Sequence, residues 1–151
     1  MKKVVSLMIC LFLIGGIAVL NSCKKDKVKG CMDVDSKNYN AAAEEDDGSC
    51  EYEGSYVLWF NKATSDSLVA DGATALTYYV NGTVGGSAAA SVYWTGEPNC
   101  GQSGAVTVIK DLGSDKNKSF TYSVKDQTGF EYFTGTANFK ANTCTALQLS
   151  W

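Results

Sequence analysis

Ser119-Phe120-Thr121-Tyr122-Ser123-Val124 alternates polar and apolar residues without a break. Successive side chains of a strand point to opposite faces, so this run reads as a half-buried antiparallel strand. Thr145-Ala146-Leu147-Gln148-Leu149-Ser150-Trp151 repeats the pattern, which places Leu147, Leu149 and Trp151 on one face. Further β runs fall at Tyr56–Lys62, Ala75–Asn81, Ala89–Thr95, Ala105–Lys110 and Glu131–Phe139. The connections carry Asp71-Gly72, Asn81-Gly82, Gly85-Gly86, Gly113-Ser114-Asp115 and Thr128-Gly129, residues suited to the backbone of tight turns. Strands this short, separated by frequent turns, predict an all-β domain over 54–151. Its expected form is a seven-stranded immunoglobulin-like or transthyretin-like antiparallel sandwich.

The 151 residues amount to about one domain. Lys+Arg is 13, all of it Lys, against 16 Asp+Glu, for a net charge of −3, and there is no His. The missing His excludes a Ser-His-Asp triad, a Cys-His pair and a His-ligated zinc. With no Arg and an acidic balance, a nucleic-acid surface is not expected, because phosphates need clustered cations.

The N-terminus reads as an address. Met1-Lys2-Lys3 is basic, and Val4–Leu20 follows without a charge, at or below the lower limit for a spanning helix. Leu20-Asn21-Ser22-Cys23 then resembles the lipobox of bacterial lipoproteins. That resemblance implies a diacylglycerol on the Cys23 thiol, cleavage just before it and acylation of the new amino terminus. The competing reading is an uncleaved anchor with an incidental Cys. More than one acyl chain holds a protein stably to a bilayer. Lys24-Lys25-Asp26-Lys27-Val28-Lys29 follows as a basic tether suited to anionic headgroups. Lys24, not Asp, follows the Cys, so the inner-membrane retention signal of enterobacterial lipoproteins is absent. The leader resembles those of Bacteroidota lipoproteins, which implies the cell envelope and the outer membrane, with the leaflet open.

Of 6 Cys, Cys10 belongs to the apolar leader and Cys23 to the lipid site. Cys31, Cys50, Cys100 and Cys144 remain, an even set that argues for disulfides in an exported chain. Three pairings are open. Cys31–Cys50 and Cys100–Cys144 are expected, because each pair lies inside one compositional segment. The loops they close are worth about 3 and about 4 kcal/mol on the chain-entropy model. A four-thiolate zinc site lacks the CxxC spacing it needs.

Between the first pair, Asp33, Asp35, Glu44, Glu45, Asp46 and Asp47 face Lys37 alone, with Glu51 and Glu53 just beyond. The stretch from Gly30-Cys31-Met32-Asp33 through Asp46-Asp47-Gly48-Ser49-Cys50-Glu51-Tyr52 resembles a repeat of Bacteroidota surface proteins, GCTDPxAxNYNPxAxxDDGSCxY. The resemblance marks a lineage, not an activity. Crowded carboxylates repel one another, and calcium would relieve this with oxygen ligands. Asp33, Asp35, Asp46 and Asp47 are the candidate ligands, supported by Asn38 or Asn40. An EF-hand frame from Asp33 fails at Lys37 and at Asn38, where Gly is needed. The competing reading is a disulfide-closed turn with solvated acids.

The β half also resembles a small module of Bacteroidota secreted proteins. The shared pieces are Tyr79-Val80-Asn81-Gly82, the run Pro98-Asn99-Cys100-Gly101-Gln102-Ser103-Gly104-Ala105-Val106-Thr107-Val108, and Cys144-Thr145-Ala146-Leu147-Gln148-Leu149. It implies a β-sandwich and a paired Cys100 and Cys144, and it carries no catalytic residues. The chain thus divides into a 1–22 signal peptide, a 23–30 lipidated tether, a 31–53 acidic disulfide-closed motif and the 54–151 β domain.

Adjacent aromatics occur at Trp59-Phe60, Tyr78-Tyr79, Tyr93-Trp94 and Tyr132-Phe133. One member of each pair faces outward on a strand. Tyr78, Tyr93, Trp94 and Tyr132 are therefore the candidates for stacking on sugar rings; cross-strand packing is the competing reading. Glu97 and Glu131 are the only Glu residues of the β domain and the only carboxylate pair offered to a glycosidase. Ser103 is not in a nucleophile elbow. The expectation is a non-enzymatic envelope lipoprotein with a structural or interaction role, held by its lipid and meeting an envelope protein or a glycan. The alternative is a glycan-binding accessory lipoprotein, assisted by calcium.

Overall fold

The computed structural model of the chain describes residues 25–151. The expected leader, Cys10 and Cys23, the expected lipidation site, lie outside the described residues. Nine strands and one helix are described: β1 (Lys29–Gly30), β2 (Glu45–Asp46), β3 (Tyr52–Trp59), α1 (Lys62–Ala70), β4 (Ala75–Val80), β5 (Thr83–Ala89), β6 (Val106–Gly113), β7 (Asn117–Asp126), β8 (Glu131–Lys140) and β9 (Cys144–Gln148). A three-stranded sheet has the order β6-β3-β9 and a four-stranded sheet the order β5-β4-β7-β8. β1, at the end of the span assigned to the tether, and β2, within the acidic motif, form a separate parallel pair.

The two larger sheets share one core. Tyr56 and Leu58 of β3, with Val106, Val108 and Leu112 of β6, meet Leu76, Tyr78 and Val80 of β4, Val124 of β7 and Phe139 of β8. Alternation supplies this face in each strand, and its removal from water drives the packing. At one side the sheets close tightly. Cβ atoms on Gly85 and Gly86 would come within 2.5 and 2.8 Å of Val108 and Val106. β5 is glycine-rich at its centre because only bare backbone fits there.

β3 is buried on both faces. Tyr56 and Leu58 enter the shared core, yet Val57, on the opposite face, is also 0% exposed. The 90–105 segment is tied to that second face. Thr107, level with Val57, accepts a hydrogen bond at its Oγ1 from the Gly101 N–H at 2.8 Å. Cys144, level with Ser55, forms the disulfide with Cys100. The bridge therefore staples a loop across the outside of the three-stranded sheet.

Several expectations are corrected. The β domain is not wholly antiparallel: β9 runs parallel to β3, because the chain leaves β8 and crosses to the other sheet instead of folding back as a hairpin. The run expected at Ala89–Thr95 is not a strand; the strand lies earlier, at Thr83–Ala89, where Gly85-Gly86 had read as a turn. The first long strand begins at Tyr52, inside the span assigned to the acidic motif, and ends before Lys62, which opens α1. The Asn81-Gly82 turn is as expected, with φ of 53° and 73° in a tight hairpin.

Candidate functional site

The acidic motif is a docked base. Cys31 and Cys50 are joined, and Asn38 bridges the loop by donating to the Ser49 carbonyl and accepting from the Glu51 N–H. The Asp33 carboxylate accepts from the Tyr52 hydroxyl at 2.8 Å and pairs with Lys116. Lys116 also approaches Asp35 at 3.5 Å. Lys37 reaches Asp111 at 2.9 Å and Glu51 at 3.0 Å. These contacts fasten the motif to the start of β3, to the end of β6 and to the turn between β6 and β7. The Lys116 ammonium, then the Asp35 N–H and the Tyr52 hydroxyl, hold the Asp33 carboxyl down at about 2.

The calcium candidates do not converge. Asp33 and Asp35 turn to Lys116, whereas Asp46 and Asp47 accept backbone N–H groups from Gly48 and Ser49 in a turn. Among the described residues no group of three or more His, Cys, Asp or Glu side chains is placed to hold a metal ion.

The four aromatic candidates fare differently. Tyr78 is 2% exposed and belongs to the core, where desolvation pushes its hydroxyl upward. It has no face to offer a ligand, because the even positions of β4, Leu76, Tyr78 and Val80, are buried in the core. Tyr93 is exposed, with the Lys62 ammonium 5.8 Å above its ring. Trp94 is half-buried, and its backbone N–H donates to the Phe60 carbonyl. Tyr132 is half-buried and donates its hydroxyl to Asp71 at 2.8 Å. Desolvation first, and then the Asp71 carboxylate, push that hydroxyl up to about 12.

Tyr132 is the centre of a cleft that the sequence did not reveal. Phe130 packs edge-on against it at 4.9 Å, and Trp151 lies tilted against it at 5.2 Å. Phe130 is 59% exposed and Trp151 63% exposed. Trp151 was expected on one face with Leu147 and Leu149; Leu149 is buried, but β9 ends at Gln148 and Trp151 lies exposed beyond it. With Glu131, Phe133 and Ser150 these rings line an open cleft of about 360 Å³. Glu131 faces Lys125 at 3.7 Å. Glu97 is exposed in the 90–105 segment, and Ser103 lies among the turns there.

Cleft and base occupy opposite poles. Tyr52 opens β3 and Lys116 immediately precedes β7, both touching the acidic motif. β7 ends at Asp126 and β8 begins at Glu131, on the far side, next to the cleft. Strands of 8 and 10 residues separate the poles by about 30 Å. Among the described residues no helix is long and apolar enough to cross a membrane. No family model matches the chain, and neither does any curated protein or solved structure.

Proposed function

We propose that the chain is a lipid-anchored protein of the cell envelope, most readily of the outer membrane, with a non-catalytic interaction role. Its β domain is taken as an immunoglobulin-like or transthyretin-like sandwich. One observation supports the role above others: the tether and its docked base stand at one pole, and exposed aromatic rings stand at the other. An anchor at Cys23 would hold the base near the bilayer and turn the cleft away from it. That layout suits capture of something outside the membrane. The glycan-binding alternative draws on the same cleft. Calcium assistance has no converging ligands behind it and is not part of the proposal.

Growth with an alkyne fatty acid tests the anchor. The unaltered chain is expected to take the label and remain with the membrane. Cys23→Ala is expected to lose both. Label retained by Cys23→Ala, or an unaltered chain recovered unlabelled from the soluble fraction, rejects the anchored reading.

A further inference from the structure

The geometry points to the Phe130–Tyr132–Trp151 cleft as a binding site for a neutral saccharide, one pyranose ring laid against the exposed aromatic faces. This rests on the reading of the chain as a binding protein and names its ligand class. A pyranose has an apolar face of C–H groups and an equatorial rim of hydroxyls. Phe130 and Trp151 offer the flat apolar surfaces, the two most exposed rings of the cleft. Around them stand groups that exchange hydrogen bonds with hydroxyls: the Glu131 carboxylate beside the Lys125 ammonium, and the Asp71 carboxylate that already receives the Tyr132 hydroxyl. The Tyr132–Asp71 bond fixes the central ring, so little ordering is left for a ligand to impose.

The same surroundings disfavour other occupants. An acyl chain or an apolar peptide would cover Glu131 and Asp71 without replacing their partners in water. A nucleotide, or a saccharide carrying acidic groups, would bring a negative charge up to both carboxylates. A cleft of about 360 Å³ lies at the small end of ligand sites and admits a sugar unit rather than a long wrapped chain.

The test uses the full chain extracted from membranes in detergent. Maltohexaose, cellohexaose, xylohexaose, laminarihexaose, mannohexaose and chitohexaose are titrated in turn by calorimetry and by Trp fluorescence, with oligogalacturonate as the acidic comparison. At least one neutral hexamer is expected to bind and to perturb fluorescence. Trp151→Ala and Phe130→Ala are expected to weaken it by about tenfold or more, the scale of losing a stacking ring. Both side chains are exposed, so circular dichroism should match the parent. Tyr132→Phe, which keeps the ring and drops the Asp71 bond, is expected to weaken binding less. Silence from every neutral hexamer, undiminished binding by Trp151→Ala, or tighter binding of oligogalacturonate overturns the assignment. Fatty-acid labelling is read separately: saccharide silence with the label intact removes only this ligand, and a lost label with binding intact removes only the anchor.

Discussion

Asp33 gathers three donors, the Lys116 ammonium, the Asp35 N–H and the Tyr52 hydroxyl, on one carboxylate. Its folded value of about 2 lies below the ordinary 3.8. The stabilisation it contributes is therefore complete above about pH 4 and fades as the pH falls towards 2. Asp33→Asn should flatten the fall of the urea midpoint across that window while leaving its shape above pH 5 unchanged. Parallel curves for the two proteins would show that the carboxylate does not set the acid limit. Gly54 makes a steric demand. A Cβ there would lie 2.5 Å from the Lys140 carbonyl oxygen, where backbone has no room to yield. Gly54→Ala should cost about 2 kcal/mol in denaturant unfolding, the scale of overpacking a tight interior; a loss within error of zero would mean that β3 and β8 can part freely at this point.

At the scale of elements, α1 hangs on the capping residue just before it. The Asn61 side chain accepts from the Thr64 N–H at 3.0 Å. Asn61→Ala should cost about 1 kcal/mol and Asn61→Asp almost nothing, a contrast readable from paired melting curves. If the two variants melt together, the cap is not what starts the helix. The helix was not legible in the sequence, where the run up to Lys62 read as a strand. Lys62–Ala70 buries only Thr64, Ser65 and Leu68, too few large apolar residues to show a period. Contact makes up the difference, through the Ser65 hydroxyl donating to the Ala90 carbonyl. β5 was missed for a related reason: Gly85 and Gly86 carry no pattern, and the need for bare backbone comes from β6, distant in the sequence. The strands with clean alternation, β4, β7 and β8, were legible within a few residues. Both disulfides were legible as well, from the two compositional segments. The cleft was legible only at Tyr132. Phe130 follows a Gly turn and Trp151 follows the end of a strand, so neither sits where alternation tells which way a ring points.

The molecule as a whole is held by two covalent closures of unequal reach. Cys31–Cys50 spans 19 residues and secures the base, whereas Cys100–Cys144 spans 44 and binds the outer loop to the last strand. Replacing both members of the longer bridge with Ser should lower unfolding stability by about 4 kcal/mol, and of the shorter by about 3, on the loop-entropy account. Denaturant titration of the two double variants checks the order; a larger loss from the shorter bridge would contradict it. The parallel alignment of β3 with β9 has a temporal side. A polypeptide delivered first residue first exposes one naked ladder edge of β3 throughout delivery, an invitation to pairing between neighbouring copies. Only arrival of the final strand withdraws that invitation. Premature termination anywhere before Cys144 would leave it standing, and such fragments should seed aggregates rather than merely lack a few residues.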